Sequence, residues 1–76
     1  MREILKSIIE GMVTDKVAVS VAETIEDGTV MLKVEVAEPD MGKIIGKEGR
    51  IAQAIRIVMK CIAAEEGKRI NIEFIG

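Results

Sequence analysis

Aromatic residues, histidine and cysteine are almost absent from this 76-residue sequence. It contains no tryptophan, tyrosine or histidine, and Phe74 and Cys61 are its only phenylalanine and cysteine. Without several exposed aromatic rings, the chain lacks the sheet surface on which RNA-recognition motifs stack bases. One cysteine cannot form an intrachain disulfide, and without histidine or a second cysteine the usual zinc-ligand sets are incomplete. We therefore expect an aliphatic core, no metal site and no cofactor.

Long hydrophobic runs are also lacking. Residues 1–6 interrupt their apolar side chains with charged ones, which argues against both a signal peptide and a membrane-spanning helix. Together with the single cysteine, this favours a cytoplasmic protein. With 76 residues, of which 49% are hydrophobic and 32% charged, the chain is long enough for one small folded domain and too short for two. We expect residues 1–76 to form that one domain.

The charge of the chain is unevenly distributed. The formal net charge is -2 and the isoelectric point is about 5.1, a balance that usually argues against nucleic-acid binding. Residues 40–60, however, contain five basic and two acidic side chains, whereas the rest of the chain contains six basic and eleven acidic ones. The sequence therefore predicts one basic sector on an otherwise acidic surface.

The first half of the sequence changes from a helical to a strand periodicity. Apolar residues of segment 2–13 recur every three or four positions, which predicts an amphipathic helix. In residues 17–22 and 30–36, valine or leucine occupies every second position, which predicts two strands. Between them stands Asp27-Gly28, a pair that tolerates the positive φ angles of a tight turn. We therefore predict an antiparallel β-hairpin.

The second half of the sequence begins with two further helices. Pro39 ends the second strand, and Asp40 or the residues before it open a short helix that reaches Ile45. Helical spacing resumes at Arg50 and stops at Gly67, a residue type that favours a helix C-terminus. The predicted apolar stripe of this long helix consists of Ile51, Ala54, Ile55, Val58 and Ile62.

A last strand is predicted at residues 70–74, where large apolar residues alternate with polar ones. The element order is then α-β-β-α-α-β. Because a helical crossover usually returns a chain parallel to the strand that it left, we expect the third strand beside the second and parallel to it. With the helices on one face of the sheet, the fold class is α+β, a two-layer α/β sandwich with a three-stranded mixed sheet.

The segment most indicative of function is glycine-rich and lies between two predicted helices; it reads Ile45-Gly46-Lys47-Glu48-Gly49-Arg50-Ile51. A Walker A loop has four residues between its glycines and a serine or threonine after the lysine, and this segment has neither. A dinucleotide-binding loop follows a strand, whereas this one follows a helix. Neither nucleotide-binding template therefore fits.

This segment and the β-α-α-β order around it resemble the KH family of single-strand RNA-binding domains. With a helix and a strand placed before that core, the chain resembles a type II KH domain. In its length and in its segment from Asp40 to Lys47 it is similar to the small bacterial single-KH proteins of the KhpA group. The resemblance implies a non-enzymatic protein that clamps about four unpaired nucleotides, such as a post-transcriptional regulator or RNA chaperone. It also implies a homodimer or a complex with a larger RNA-binding protein.

The candidate RNA-binding residues belong to the glycine-rich loop and its flanks. Glycines allow a phosphodiester backbone to approach closely, amides at the start of the following helix face the phosphates, and basic side chains add charge. Of the isoleucines at positions 44, 45 and 51, some must point into the core, and we expect Ile45 to be exposed beside the bases. The predicted RNA-binding residues are Lys43, Ile45, Gly46, Lys47, Glu48, Gly49 and Arg50. No catalytic residue is predicted.

Other interpretations of these residues stay open. Glycines at this spacing also suit a plain tight turn, and a basic cluster also suits a solvated surface. Glu48 places a carboxylate beside the expected phosphates, which predicts modest affinity and favours, as an alternative, a protein-interaction or dimerisation module that uses the KH surface. Because the loop is expected to be exposed, replacing Gly46 and Gly49 together by aspartate is predicted to abolish RNA binding and to leave the fold mostly intact.

Overall fold

The computed structural model describes residues 1–75, which form three α-helices, three strands and two short 3-10 turns. The helices are α1 (Arg2–Glu10), α2 (Glu38–Ile45) and α3 (Arg50–Glu65). The strands are β1 (Ser20–Glu26), β2 (Thr29–Glu35) and β3 (Arg69–Ile75), and the 3-10 turns are Lys16–Ala18 and Lys47–Gly49. This order confirms the predicted α+β class and the α-β-β-α-α-β topology of a type II KH fold.

Strand β2 lies at the centre of the sheet, with β1 on one side and β3 on the other. It pairs antiparallel with β1 through the predicted hairpin, in which Asp27 and Gly28 have φ angles of 50° and 77°. Strand β3 runs parallel to β2, beginning with the pair Thr29 and Arg69. The parallel direction follows from the crossover through two helices.

The helices cover one face of the sheet and leave the other face open. Along β2, Val30, Leu32 and Val34 are buried, whereas Lys33 and Glu35 on the other face are exposed. Burying one such aliphatic side chain fully is worth about 1.5–3 kcal/mol, so the contact between the two layers provides most of the driving force. The core is aliphatic as expected and consists of Leu5, Ile9, Val13, Val19, Val21, Val30, Leu32, Val34, Val36, Ile44, Ile55, Met59, Ala63, Ile70 and Ile72.

Strand β1 begins later than the sequence predicts. The carboxylate of Asp15 accepts a hydrogen bond from the amide of Ala18 at 3.3 Å, and this contact closes the 3-10 turn. Val17 lies on that turn and is 97% exposed, so the prediction that it belongs to a strand is wrong. The local hydrogen bond between the Asp15 side chain and the backbone favours a turn here, although the alternating valines favour a strand. Helix α1 likewise ends at Glu10, three residues before its predicted end.

Helix α3 packs on the sheet through a different stripe from the predicted one. Of the predicted stripe only Ile55 is buried, while Ile51 and Val58 are 38% and 49% exposed. Two of the four buried residues are alanines, and the isoleucines of α3 other than Ile55 are not buried. The buried residues of α3 are Ala52, Ile55, Met59 and Ala63.

Within residues 1–75, no helix combines the length and the apolar character needed to cross a membrane. The same residues contain no group of three or more histidine, cysteine, aspartate or glutamate side chains that could hold a metal ion.

Candidate nucleic-acid interface

The loop between α2 and α3 turns sharply through residues with positive φ. Gly46 has φ 73° and ψ 178°, Glu48 has φ 58° and ψ 26°, and Gly49 has φ 73° and ψ 13°. The amide of Gly46 still donates to the carbonyl oxygen of Gly42 at 2.9 Å, and the amide of Gly49 donates to that of Gly46 at 3.3 Å. The chain therefore leaves α2 and enters α3 within a few residues, which brings the predicted site residues into one turn and its flanks.

Gly46 is required by packing within the protein. A β-carbon built on Gly46 would lie 2.5 Å from Cγ1 of Ile51 and 2.8 Å from its Cβ and Cδ1. The backbone angles at this position are also ones that residues with a side chain rarely adopt. The closeness of Ile51 explains this glycine without any ligand. An aspartate here would disturb the start of α3, so the expectation of a mostly intact fold after the double substitution is wrong at Gly46.

The amide of Arg50 donates to the carbonyl oxygen of Lys47, and the amides that follow it in the first turn of α3 have no side-chain cap. Gly49 occupies the N-cap position, and no side chain caps the helix. A β-carbon built on Gly49 would meet nothing within 4 Å, so the space beside these amides is open. The first amides of a helix have no acceptor within the helix, and the helix dipole makes this end positive. The arrangement suits an anionic group such as a phosphate.

The basic side chains of the loop differ in what they already contact. Lys47 is exposed and forms no hydrogen bond or ion pair with any of residues 1–75. Arg50 lies 3.7 Å from the carboxylate of Glu48, and both side chains are exposed. An exposed pair of this kind contributes about 1 kcal/mol or less. Lys47 is therefore available to a ligand at once, whereas Arg50 must first give up a weak pair.

Lys43 is tied to the segment that follows α1. Its ammonium group donates to the hydroxyl oxygen of Thr14 at 2.6 Å and lies 3.4 Å from Oδ1 of Asp40. About half of the Lys43 side chain is nevertheless exposed. The predicted site residue thus lies beside the loop but already has two partners inside the protein.

Asp40 anchors α2 to that same segment. Its carboxylate is 2% exposed and accepts hydrogen bonds from the amides of Thr14 at 3.1 Å and Asp15 at 3.0 Å. The amide of Asp15, followed by that of Thr14, lowers the pKa of Asp40 below its ordinary value; burial opposes this effect, and Lys43 adds to it. Asp40 or the residues before it were expected to open the helix, and α2 begins at Glu38. The role of Asp40 as a buried anchor was not predicted. Its position one turn before Ile44 indicates it, because a carboxylate on the core-facing side of a helix needs a partner inside the protein.

The isoleucines around the loop divide between core and surface, but the exposed one is Ile51 and not the expected Ile45. Ile44 is fully buried, Ile45 is half-buried and Ile51 is the most exposed of the three. The aliphatic surface beside the loop therefore includes Ile51 as well as the predicted Ile45.

The sequence matches known proteins along almost its whole length. The family described as KhpA/KhpB, KH domain, matches residues 2–74. The chain is 43% identical to the RNA-binding protein KhpA of Clostridium acetobutylicum and 44% identical to that of Caldanaerobacter subterraneus, each over 75 residues that cover 99% of this chain and 100% of the relative. The RNA-binding protein KhpA of Listeria monocytogenes is 35% identical, with 99% of each chain covered.

These relatives are described by what they bind, and the KH family is not a family of enzymes, which confirms the prediction of a non-enzymatic protein. The match extends along residues 2–74, and the element order is that of a type II KH fold. The chain therefore belongs to the KhpA/KhpB KH-domain family.

Proposed function

We propose that this protein binds single-stranded RNA and clamps about four unpaired nucleotides through the loop Gly46-Lys47-Glu48-Gly49. The proposal depends chiefly on the start of α3, where uncapped amides, the positive end of the helix dipole and an unpaired Lys47 meet beside open space. The RNA-binding names of the relatives support it. We propose further that residues 1–76 act as one KH domain, and that its role is that of a post-transcriptional regulator or RNA chaperone in the bacterial cytoplasm.

The clamp holds the phosphate backbone of the RNA. Free amides at the start of α3 donate hydrogen bonds to phosphate oxygens, and Lys47 adds a mobile positive charge. Two nearby carboxylates reduce the charge available, because Glu48 pairs with Arg50 and Asp40 pairs with Lys43. We therefore expect modest affinity with a clear dependence on salt.

The bases lie against aliphatic side chains. Ile45 and Ile51 provide partly exposed apolar surface beside the loop. The ring of Phe74 already lies under the guanidinium group of Arg56, 5.0 Å from it. Stacking on aromatic rings, worth about 1–3 kcal/mol per base in other single-strand binders, therefore contributes little here.

Replacing Lys47 by alanine tests the clamp directly. We expect the affinity for a short unpaired RNA to fall severalfold, and the slope of log K against log salt to become shallower by about 0.7, the value for one phosphate contact on a single strand. The control variant Lys33→Ala removes another exposed lysine, which lies on the open face of the sheet. Anisotropy of a labelled RNA at several salt concentrations gives both quantities. Equal affinities for the wild type and both variants would contradict the clamp.

A second function, dimerisation, is favoured by the outward-facing side of α3. Ile57 and Val58 are 56% and 49% exposed, and Ala54 and Cys61 beside them are exposed as well. Together these four residues form an uncharged apolar strip, the outer strip of α3. Contiguous exposed apolar surface of this kind commonly marks a site of protein contact.

A second copy of this chain is the partner that fits the outer strip. Arg50 stands at the start of α3 and Glu65 at its end. In an antiparallel pair of α3 helices, each arginine would lie near the glutamate of the other copy, and the two helix dipoles would oppose each other favourably. The same contact would join the two strips.

Sedimentation velocity tests this assembly. We expect Ile57→Glu to convert a dimer to a monomer, because it places a charge in the outer strip, whereas Val17→Glu changes an even more exposed apolar residue elsewhere and leaves the dimer intact. A monomeric wild type would contradict the homodimer and would leave a larger RNA-binding protein as the proposed partner of this face.

A further inference from the structure

A second group of basic side chains lies at the end of α3 away from the clamp. Lys60, Lys68 and Arg69 line a surface cavity of about 360 Å³, together with one residue from each of β2 and β3. We call these three residues the distal basic cluster. Within the part of the chain that the structure describes, the side chains of Lys60 and Arg69 form no hydrogen bond or ion pair. Lys68 lies 3.6 Å from Glu66 in an exposed and therefore weak pair.

The distal basic cluster and the clamp lie toward opposite ends of α3. Lys60 follows Arg50 by ten residues, which corresponds to about 15 Å along a helix. Arg56 precedes Lys60 by one turn and therefore lies on the same side of α3. Its Nε donates to the carbonyl oxygen of Ile72 at 3.4 Å, and its guanidinium lies 5.0 Å from the ring centre of Phe74. These contacts show that this side of α3 faces β3, so Arg56 and Lys60 lie between the clamp and the cavity on that side.

We propose that the distal basic cluster binds a phosphate group of the same RNA strand that the clamp holds. The RNA site then extends beyond about four nucleotides. This inference rests on the proposed function, because the cluster is assigned to the RNA strand that leaves the clamp along the side of α3 facing β3. Unpaired cations around a cavity are notable in a chain whose net charge is -2, since most of its surface repels phosphate. The affinity of the clamp is reduced by the charge of Glu48 and by the lack of aromatic rings for stacking. A second phosphate contact compensates for part of this loss.

A structural role for the same cations makes a different prediction. Helix α3 ends close to the cluster, where the amide of Lys68 donates to the carbonyl oxygen of Ala63 at 2.8 Å. Cations near a helix C-terminus stabilise it through the dipole. If that were their whole role, removing Lys60 and Arg69 would lower the melting temperature and leave RNA affinity unchanged.

RNA length separates clamp binding from binding at the cluster. The double variant Lys60→Ala/Arg69→Ala is titrated with unpaired RNAs of about four and about ten nucleotides, with NMR shifts for the weakly bound short RNA. For the longer RNA we expect a severalfold loss of affinity and a salt slope shallower by about 0.7 to 1.4. For the short RNA we expect no change. The control Arg2→Ala/Lys33→Ala removes the same two residue types from exposed positions elsewhere and leaves both affinities unchanged.

The outcomes distinguish this proposal from the clamp itself. Lys47→Ala is expected to weaken the binding of both RNAs. If it weakens the binding of neither, both the clamp and this proposal are wrong. If Lys47→Ala weakens the binding of both RNAs but the double variant weakens the binding of neither, the cluster does not bind RNA, and the clamp proposal is unaffected. An equal loss for both lengths would also overturn the proposal, and so would a lowered melting temperature with unchanged affinity for the longer RNA.

Discussion

The substitution Gly46→Ala is expected to destabilise the protein much more than Gly49→Ala. Both glycines have a φ of 73°, but ψ is 178° at Gly46 and 13° at Gly49. The conformation of Gly49 is left-handed helical and costs another residue about 1–2 kcal/mol, whereas that of Gly46 is nearly restricted to glycine and costs about 1–3 kcal/mol. A methyl group on Gly46 would also lie 2.5 Å from Cγ1 of Ile51, and such overpacking adds about 1–3 kcal/mol.

The expected loss of unfolding free energy is therefore about 2–6 kcal/mol for Gly46→Ala and about 1–2 kcal/mol for Gly49→Ala. Domains have a total of only about 5–15 kcal/mol, and small ones lie at the lower end. Gly49→Ala should remain folded, whereas Gly46→Ala should lose a large part of its stability.

Urea unfolding followed by far-UV circular dichroism measures both values, because the chain has no tryptophan or tyrosine for fluorescence. We expect the midpoint to fall and the slope to stay constant. The double variant Gly46→Ala/Ile51→Ala removes the clashes with Cγ1 and Cδ1 of Ile51 and keeps the one with its Cβ, so the combined loss should be smaller than the sum of the single losses. A Gly46→Ala protein as stable as Gly49→Ala would refute the reasoning.

Further predictions concern the carboxylates around the clamp. Asp40→Asn should lower the melting temperature at neutral pH, because one of the amides that donate to the carboxylate loses its acceptor. Since the fold lowers the pKa of Asp40, its contribution is present above about pH 4 and is lost as the pH falls through the folded pKa; thermal melts of wild type and variant should therefore converge in acid, and a constant difference would contradict this. Glu48→Lys should tighten RNA binding severalfold and steepen the salt dependence by about 0.7, because it removes the carboxylate beside Arg50; weaker binding in anisotropy titrations would disprove the electrostatic account. Glu48→Gly should raise stability in urea by about 1 kcal/mol, because a φ of 58° is unfavourable for glutamate and free for glycine; a loss of stability would count against strain at this position.

The topology could be predicted because each of its determinants is local in the sequence. The pair Asp27-Gly28 specifies the hairpin through two positive φ angles, and the alternation of apolar residues along β2 and β3 specifies which face is buried. Two helices between those strands require a crossover, which fixes the parallel direction. The position of the clamp follows from the same order.

The remaining features depend on contacts between distant residues. Apolar side chains occupy so many positions of α3 that periodicity does not select a face, and only tertiary packing determines that the face with Ala52 and Ala63 is buried. Thr14, which binds Lys43, is 29 positions away from it in the sequence. The steric need for Gly46 depends on where Ile51 places its side chain. No local pattern indicates these contacts, because each is decided by packing.

The parallel pairing of β2 with β3 has a consequence for the order of folding. Its paired residues are always forty positions apart, from Thr29 with Arg69 to Glu35 with Ile75, whereas the β1–β2 pairs close across a short turn. Closing a long segment costs more chain entropy, and contacts between distant residues form slowly. We therefore expect the hairpin to form early and the unit of α3 and β3 to dock last. In hydrogen exchange the α3–β3 unit should then open before the hairpin. The clamp includes the start of α3 and therefore belongs to this late unit. RNA bound to the clamp should stabilise the docked unit against opening, which couples RNA binding to the completion of folding.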